Sequence, residues 1–143
     1  MEKNDKQIVD LYLATQSNLS AKTETNRSIL KYLDGNLGEG ERIALVPDDL
    51  TLRKIAEAGD DPDKVAACHA NQALAENVGI DYSDENGVLR HMCMSAIGRD
   101  PQTRKVIVEG YSLRGEKVSC EASRVQNLDE VLMFLRYAHT EKD

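Results

Sequence analysis

The strongest constraint in this 143-residue sequence is a hairpin pattern near its C-terminal end. Residues 105–113, KVIVEGYSL, are rich in β-branched residues and predict a strand, and residues 117–125 alternate apolar and polar side chains after the short turn 114–116. Residues 88–97, VLRHMCMSAI, fit either a helix or a strand, but the turn-rich GRDPQTRK that follows them favours a strand. The sequence therefore predicts a three-stranded antiparallel sheet over about 88–125.

The register of this hairpin predicts which side chains share a face. If Leu113 lies opposite Lys117, alternate residues form one apolar face, made of Met92, Met94, Ala96, Val106, Val108, Gly110, Val118, Cys120 and Ala122. The opposite face is mixed, and it carries Leu89, His91, Cys93, Ser95, Ile97, Ile107, Glu109, Tyr111 and Ser119. Three strands cannot bury both faces against one terminal helix. The mixed face is therefore expected to meet the N-terminal helices, a second subunit or a partner.

Helical patterns surround the sheet. Helices are predicted over 5–15 and about 21–34, a short strand over 42–46, and further helices over 47–59, 61–79 and 127–139. Asp61 and Pro62 form a helix start, because aspartate favours the N-cap and proline the first helical position. The fold class is α+β in a single domain of residues 1–143, helical over about 1–80, with the sheet and terminal helix over about 88–140.

Negative charge is concentrated in the segment from Pro47 to Gly87. This segment has ten acidic and three basic residues, and 3 − 10 equals the net charge of −7 of the whole chain. The candidate partner-binding carboxylates in it are Asp60, Asp61, Asp63, Asp81, Asp84 and Glu85. An acidic surface keeps a protein soluble, and it also attracts a protein partner with a basic surface.

The location of the protein is predicted from its cysteines and apolar runs. Three cysteines without a C-x-x-C pair suit a reducing compartment. The longest apolar runs, such as VLMFL at 131–135, are far shorter than the roughly 20 residues of a membrane span. The N-terminus MEKNDKQ lacks the apolar region of a signal peptide. We therefore expect a cytoplasmic protein with no membrane association, and a homo-oligomer.

No motif predicts a metal, a cofactor or a reaction. Cys68 and His69 are adjacent on a helix and point about 100° apart, so they do not pair with His91 and Cys93 as zinc ligands. The calcium-like DYSDENG at 81–87 has its glycine one place late, and its twelfth position is a methionine. Without a nucleophile motif, the sequence predicts a non-enzyme, although a His91–Glu109 acid–base pair across the strands stays an alternative.

One segment resembles a known DNA-binding motif. TLRKIAEAGDDPDKV, residues 51–65, is similar to the helix-turn-helix segment of repressor-type DNA-binding domains. The resemblance implies a pair of helices over about 51–78. It departs from the family where the recognition helix starts, because Asp60, Asp61 and Asp63 would repel phosphates. LSAKTETNRSILKYL also resembles the N-terminal helical segment of tyrosine recombinases, but the chain has no room for their catalytic domain.

Three functional hypotheses follow. The first is a small acidic regulator or inhibitor that binds a protein with a basic surface, such as a nucleic-acid-handling complex, through the 47–87 segment. The second is a helix-turn-helix DNA-binding transcription regulator, although direct DNA binding is disfavoured by the three aspartates. The third is a sensor of a small ligand or nucleotide, with His91, Glu109, Tyr111 and Ser119 as the candidate ligand face.

Overall fold

A computed structural model describes residues 19–137 and 140–142 of the chain. The described helices are α1 (Leu19–Asn36), α2 (Asp49–Ala58), α3 (Pro62–Glu76) and α4 (Leu128–Tyr137). The strands are β1 (Arg42–Leu45), β2 (Gly79–Ser83), β3 (Leu89–Arg99), β4 (Val106–Tyr111), β5 (Lys117–Glu121) and β6 (Thr140–Lys142). A 3-10 turn, Ala122–Arg124, follows β5. The α+β class is confirmed, and the ambiguous residues 88–97 do belong to a strand.

The sheet is larger than the sequence predicts. All pairings are antiparallel in the order β5-β4-β3-β1-β6, with β2 also paired to β3. Cys93 of β3 pairs with Tyr111 of β4 on one side and with Gly79 of β2 on the other. β1 pairs with β3 farther along, through Ala44 and Ala96. β2 and β1 therefore occupy successive parts of the same edge of β3. β1 matches the short strand predicted over 42–46, although the sequence did not place it in the sheet. β2 and β6 were not predicted, because each is only three to five residues long.

A bulge in β3 changes which residues face the core. Met94 lies opposite Gly110, but Ala96 lies opposite Glu109 and Ile97 opposite Val108, so the alternation shifts at Ser95. Ile97 therefore joins the apolar face and Ala96 turns to the mixed face, the reverse of the prediction. Both side chains are fully buried.

The β4–β5 hairpin keeps its predicted faces despite a different register. Val108 pairs with Cys120 and Gly110 with Val118, two residues away from the predicted pairing. The loop is longer than expected, with Ser112 N donating to Glu116 O at 2.8 Å. A shift of two residues preserves the alternation, so Cys120 packs against the core and Tyr111 points to the opposite face.

Helices cover both faces of the sheet. Ile29 and Leu33 of α1, together with Leu132 and Phe134 of α4, pack on the apolar face in the main core. On the mixed face, Ala70 and Ala73 of α3 pack against Tyr111. Of the three alternatives for the mixed face, contact with an N-terminal helix is the one that the structure shows around Tyr111.

Two further sequence predictions concern a helix over 5–15 and the absence of a membrane span. The predicted helix over 5–15 lies outside the described residues. None of the helices within 19–137 is long and apolar enough to cross a bilayer.

Candidate protein-interaction surface

The helices α2 and α3 form a hairpin because local signals stop one helix and start the next. Asp48 caps α2, since its Oδ1 accepts a hydrogen bond from Thr51 N at 2.8 Å. This hydrogen bond holds the pKa of Asp48 below its ordinary value. Gly59, just after α2, has a φ of 63°, a conformation that glycine adopts without steric cost. The chain therefore reverses between the two helices.

Asp61 starts the second helix of the hairpin. Its Oδ1 accepts hydrogen bonds from Asp63 N at 3.0 Å and Lys64 N at 3.4 Å, and Pro62 is the first helical residue. The helix ends at Asn77, which adopts the left-handed conformation. The helical pair implied by the repressor resemblance is thus present. Residues 48–67 of this hairpin are termed the helical arm below.

The second half of α3 anchors the arm to the sheet. Cys68, Ala70, Gln72 and Ala73 are buried there. The Gln72 side chain accepts a hydrogen bond from Asp48 N at 3.2 Å and donates one to Val46 O at 3.0 Å. Because this buried amide satisfies backbone groups just before α2, it ties α3 to the segment that joins β1 to α2.

The arm itself is poorly buried. Thr51 is the one buried residue of α2, and residues 60–64 at the start of α3 are all exposed. The side chains of Leu50 and Leu52 are 59% and 51% exposed. Because they are two residues apart on α2, Leu50 and Leu52 expose apolar surface on different sides of this helix.

Charge on the arm is uncompensated. It carries six exposed carboxylates, Asp48, Asp49, Glu57, Asp60, Asp61 and Asp63, against Arg53, Lys54 and Lys64. None of the ion pairs between described side chains includes an arm residue. The arm therefore presents negative charge and apolar side chains together.

The other three candidate carboxylates lie away from the arm, in and after β2. Asp84 shapes the β2–β3 turn: its Oδ1 accepts from Asn86 N at 2.8 Å and Val88 N at 2.9 Å, and its Oδ2 pairs with Arg90 at 3.0 Å. These hydrogen bonds hold its pKa below the ordinary value. The Oδ1 of Asp81 lies 3.0 Å from His91 Nδ1, and Glu85 is exposed at the turn. The β2–β3 turn therefore uses Asp84 for its own structure, and the 47–87 segment does not form one acidic surface.

Of the four residues of the candidate ligand face, Glu109, Tyr111 and Ser119 lie on the neighbouring strands β4 and β5, but His91 does not lie beside Glu109. Tyr111 is buried beneath α3, and its pKa is raised by burial and by the charge of Glu109. Glu109 is paired with Arg42 at 3.1 Å and Lys117 at 3.7 Å, and it faces Ser119 across the strands. His91 lies opposite Asp81, whereas Glu109 lies opposite Ala96, so the two are roughly 16 Å apart along β3. The structure therefore does not form the His91–Glu109 pair.

The thiols are packing residues in the described part of the chain. Cys68 and Cys93 are buried, and Cys120 is partly buried against the core. Burial raises the pKa of Cys93, and it raises that of Cys120 to about 11, so both thiols stay protonated at neutral pH. Within the described residues, no three His, Cys, Asp or Glu side chains are arranged to hold a metal ion.

Sequence analysis missed the apolar part of the arm. The sequence predicts a helix over 47–59 that contains Leu50 and Leu52, without assigning a buried face to it. Side chains two residues apart on a helix point roughly 200° from each other, so both cannot face the core. Their spacing was therefore an available signal that one of them is exposed.

Comparison with known proteins adds no relative. The chain matches no family model, no curated protein and no solved structure.

Proposed function

We propose that this protein is a cytoplasmic regulator or inhibitor that binds a protein with a basic surface through the helical arm. The observation that carries the proposal is the arm's combination of unpaired carboxylates with the exposed side chains of Leu50 and Leu52. Apolar contact supplies most of the affinity of such an interface, while charge complementarity speeds the encounter and selects the partner. A protein whose basic surface normally meets nucleic acid has the required charge.

The arm is preorganised for this role. Gln72 fixes its base through two hydrogen bonds, and capping by Asp48 and Asp61 stabilises both helices. Little conformational entropy is then lost when a partner binds. The same carboxylates repel a second arm, so the homo-oligomer expected from the sequence would use another surface of the molecule.

DNA binding is the second candidate, because α2 and α3 are two consecutive helices joined by a short turn, as the repressor resemblance implies. Two observations weaken it. The second half of α3 lies against the sheet, which leaves only its first half to enter a groove. That half begins with Asp60, Asp61 and Asp63, all exposed carboxylates that would meet phosphates. Binding to a basic protein fits the same residues without this conflict.

Site-specific photo-crosslinking tests the proposal. A photoreactive phenylalanine analogue replaces Leu52 on the arm in one variant and Leu89 in the control variant. Leu89 is a matched control because it is 66% exposed but lies at the far end of β2 from α3. In cells, we expect Leu52 to crosslink a protein that Leu89 does not. The purified captured protein should then bind the wild-type chain in vitro, and Leu50→Ser with Leu52→Ser should weaken that binding.

Two results would count against the arm as the interface. One is identical crosslinking patterns from both positions. The other is a captured protein whose affinity is unaffected by the double serine variant, which should fold normally because both leucines are exposed.

A further inference from the structure

A cavity of about 500 Å³ lies between α1 and the turn that joins β3 to β4. Side chains of α1 at helical spacing line one wall, namely Arg27, Leu30, Lys31 and Asp34. The other wall includes Arg104, Lys105 and Val106. Small-molecule sites have volumes of roughly 300–1,000 Å³, so the cavity has the right size for a small ligand. It is separate from the helical arm.

The cavity is basic although the protein is acidic. Four cationic and two acidic side chains line it, and both acids are already paired: Asp34 with Arg99 at 3.1 Å, and Glu121 with Lys105 at 2.8 Å. Arg104 is paired with Glu39 at 3.0 Å. Among the described side chains, no ion pair includes Arg27 or Lys31. Two positive charges therefore remain uncompensated, one helical turn apart.

One arginine fixes the two walls in place. The side chain of Arg99 is only 11% exposed, and it donates hydrogen bonds to the carbonyl oxygens of Leu37 at 2.7 Å and Arg104 at 2.6 Å. It also donates to the carbonyl oxygen of Asp34. These contacts tie the end of α1 to the β3–β4 turn. The cavity is thus preformed, which lowers the entropic cost of binding.

The backbone at the rim is also unusual. Arg104 has a φ of 62°, a left-handed conformation that non-glycine residues seldom adopt. The hydrogen bond from Arg104 N to Asp100 O at 2.8 Å holds it there. The β3–β4 turn thus places the Arg104 side chain in the wall of the cavity, where it pairs with Glu39.

We infer that this cavity binds a small organic phosphate, with the phosphate group held by Arg27 and Lys31 and the organic body against Leu30 and Val106. Two uncompensated charges match a phosphate dianion, whereas a single carboxylate would leave one charge unneutralised. Arginine also binds phosphate oxygens in a bidentate manner. The partly buried Leu30 and the buried Val106 provide an apolar floor that inorganic phosphate alone would not use.

Titration followed by amide NMR tests the inference on the full chain at low salt. The probes are adenosine 5′-monophosphate and phenyl phosphate, compared with adenosine and inorganic phosphate. We expect at least one organic phosphate to bind saturably below about 1 mM, with shifts confined to residues 27–34, 104–106 and 121–123. Inorganic phosphate should bind more weakly, and adenosine should not shift these amides.

Two matched variants locate the charge. Arg27→Ala with Lys31→Ala should weaken binding at least about tenfold, because two charge-assisted contacts are lost. Arg53→Ala with Lys54→Ala removes the same charges from exposed positions of α2 and should leave binding unchanged. All four side chains are exposed, so both variants should keep the wild-type thermal unfolding temperature.

Three results would overturn the inference. The first is the absence of saturable shifts with either organic phosphate at 10-fold higher concentration. The second is equal affinity in the two double variants. The third is binding of inorganic phosphate as tightly as the organic phosphates, which would mean that the apolar floor has no role. None of these outcomes depends on the helical arm or its partner.

Discussion

Replacement of Gly110 by alanine is predicted to destabilise the fold severely. Gly110 lies in β4 opposite Met94, directly beside the bulge at Ser95. A Cβ atom built at Gly110 would lie 2.2 Å from the carbonyl oxygen of Cys93 and 2.9 Å from the sulfur of Met92. The carbonyl belongs to the backbone of the neighbouring strand, so no side-chain rotation relieves the clash. Overpacking of a core typically costs about 1–3 kcal/mol, and a backbone clash of this size should cost at least about 3 kcal/mol.

Gly35→Ala is the matched control for this change. Gly35 lies in the last turn of α1, and a Cβ there meets no atom within 4 Å. Because glycine is a poor helix former, this alanine should leave stability unchanged or raise it by up to about 1 kcal/mol. Urea unfolding followed by circular dichroism measures both variants. If Gly110→Ala unfolds at the wild-type urea concentration, β3 and β4 do not approach each other as described, and the bulge is incorrectly placed.

Three further outcomes are expected. Ala122→Asp should lower the free energy of unfolding several times more than Ser119→Asp, because Ala122 is 1% exposed and Ser119 is exposed. Equal losses in urea unfolding would contradict the assignment of these two residues to opposite faces of the sheet. Burial raises the pKa of Cys120 from 9.0 to about 11, so the contribution of the buried thiol to stability is fully present below pH 9 and is lost as the pH rises through 11. Measured by unfolding at several pH values, the Cys120→Ala variant should lose less stability over this pH range than the wild type. Elemental analysis should find far less than one zinc per chain, and a stoichiometric value would overturn the assignment of Cys68 and Cys93 as packing residues.

Features set by neighbouring residues were predictable from the sequence. The start of α3 follows from Asp61 and Pro62, whose capping and φ preferences act within one helical turn. The two faces of the β4–β5 hairpin follow from alternation alone, which survives a register shift of two residues. The negative charge of the arm was equally visible, because charge requires no knowledge of packing.

Features set by distant residues were not predictable. Strand β1 joins the sheet because Arg42 pairs with Gly98 and Ala44 with Ala96, in a segment far away in the sequence. The bulge at Ser95 arises where β3 meets Gly110, a contact between segments 15 residues apart. In the sequence, Arg99 resembles the other polar residues of the predicted connection between β3 and β4. In the structure its side chain is largely buried, and it donates hydrogen bonds to the carbonyl oxygens of Asp34 and Leu37, more than 60 residues away. The cavity that Arg99 organises therefore has no local sequence signal.

The candidate interaction surface was likewise predictable only in part from the sequence. Composition correctly placed Asp60, Asp61 and Asp63 at an exposed helix start. The count of charges along the chain also grouped Asp81 and Asp84 with these aspartates. Such a count does not show that Asp81 lies beside His91 and Asp84 beside Arg90 once β2 pairs with β3. The spacing of Leu50 and Leu52 indicates that one of them is exposed, but the exposure of both depends on how little of α2 the sheet covers, which only the assembled fold reveals.

The most direct test of the account is the effect of the arm's charge on association kinetics. Asp60, Asp61 and Asp63 are changed together to asparagine, which preserves capping at Asp61. Association rates with the partner captured through Leu52 are measured by stopped flow across a range of salt concentrations, and duplex DNA is measured in parallel. We predict slower association with the protein partner and a weaker dependence on salt, because steering by opposite charges is reduced. Unchanged protein association, together with tighter DNA binding from a measurable wild-type baseline, would contradict the account and favour a DNA-binding regulator.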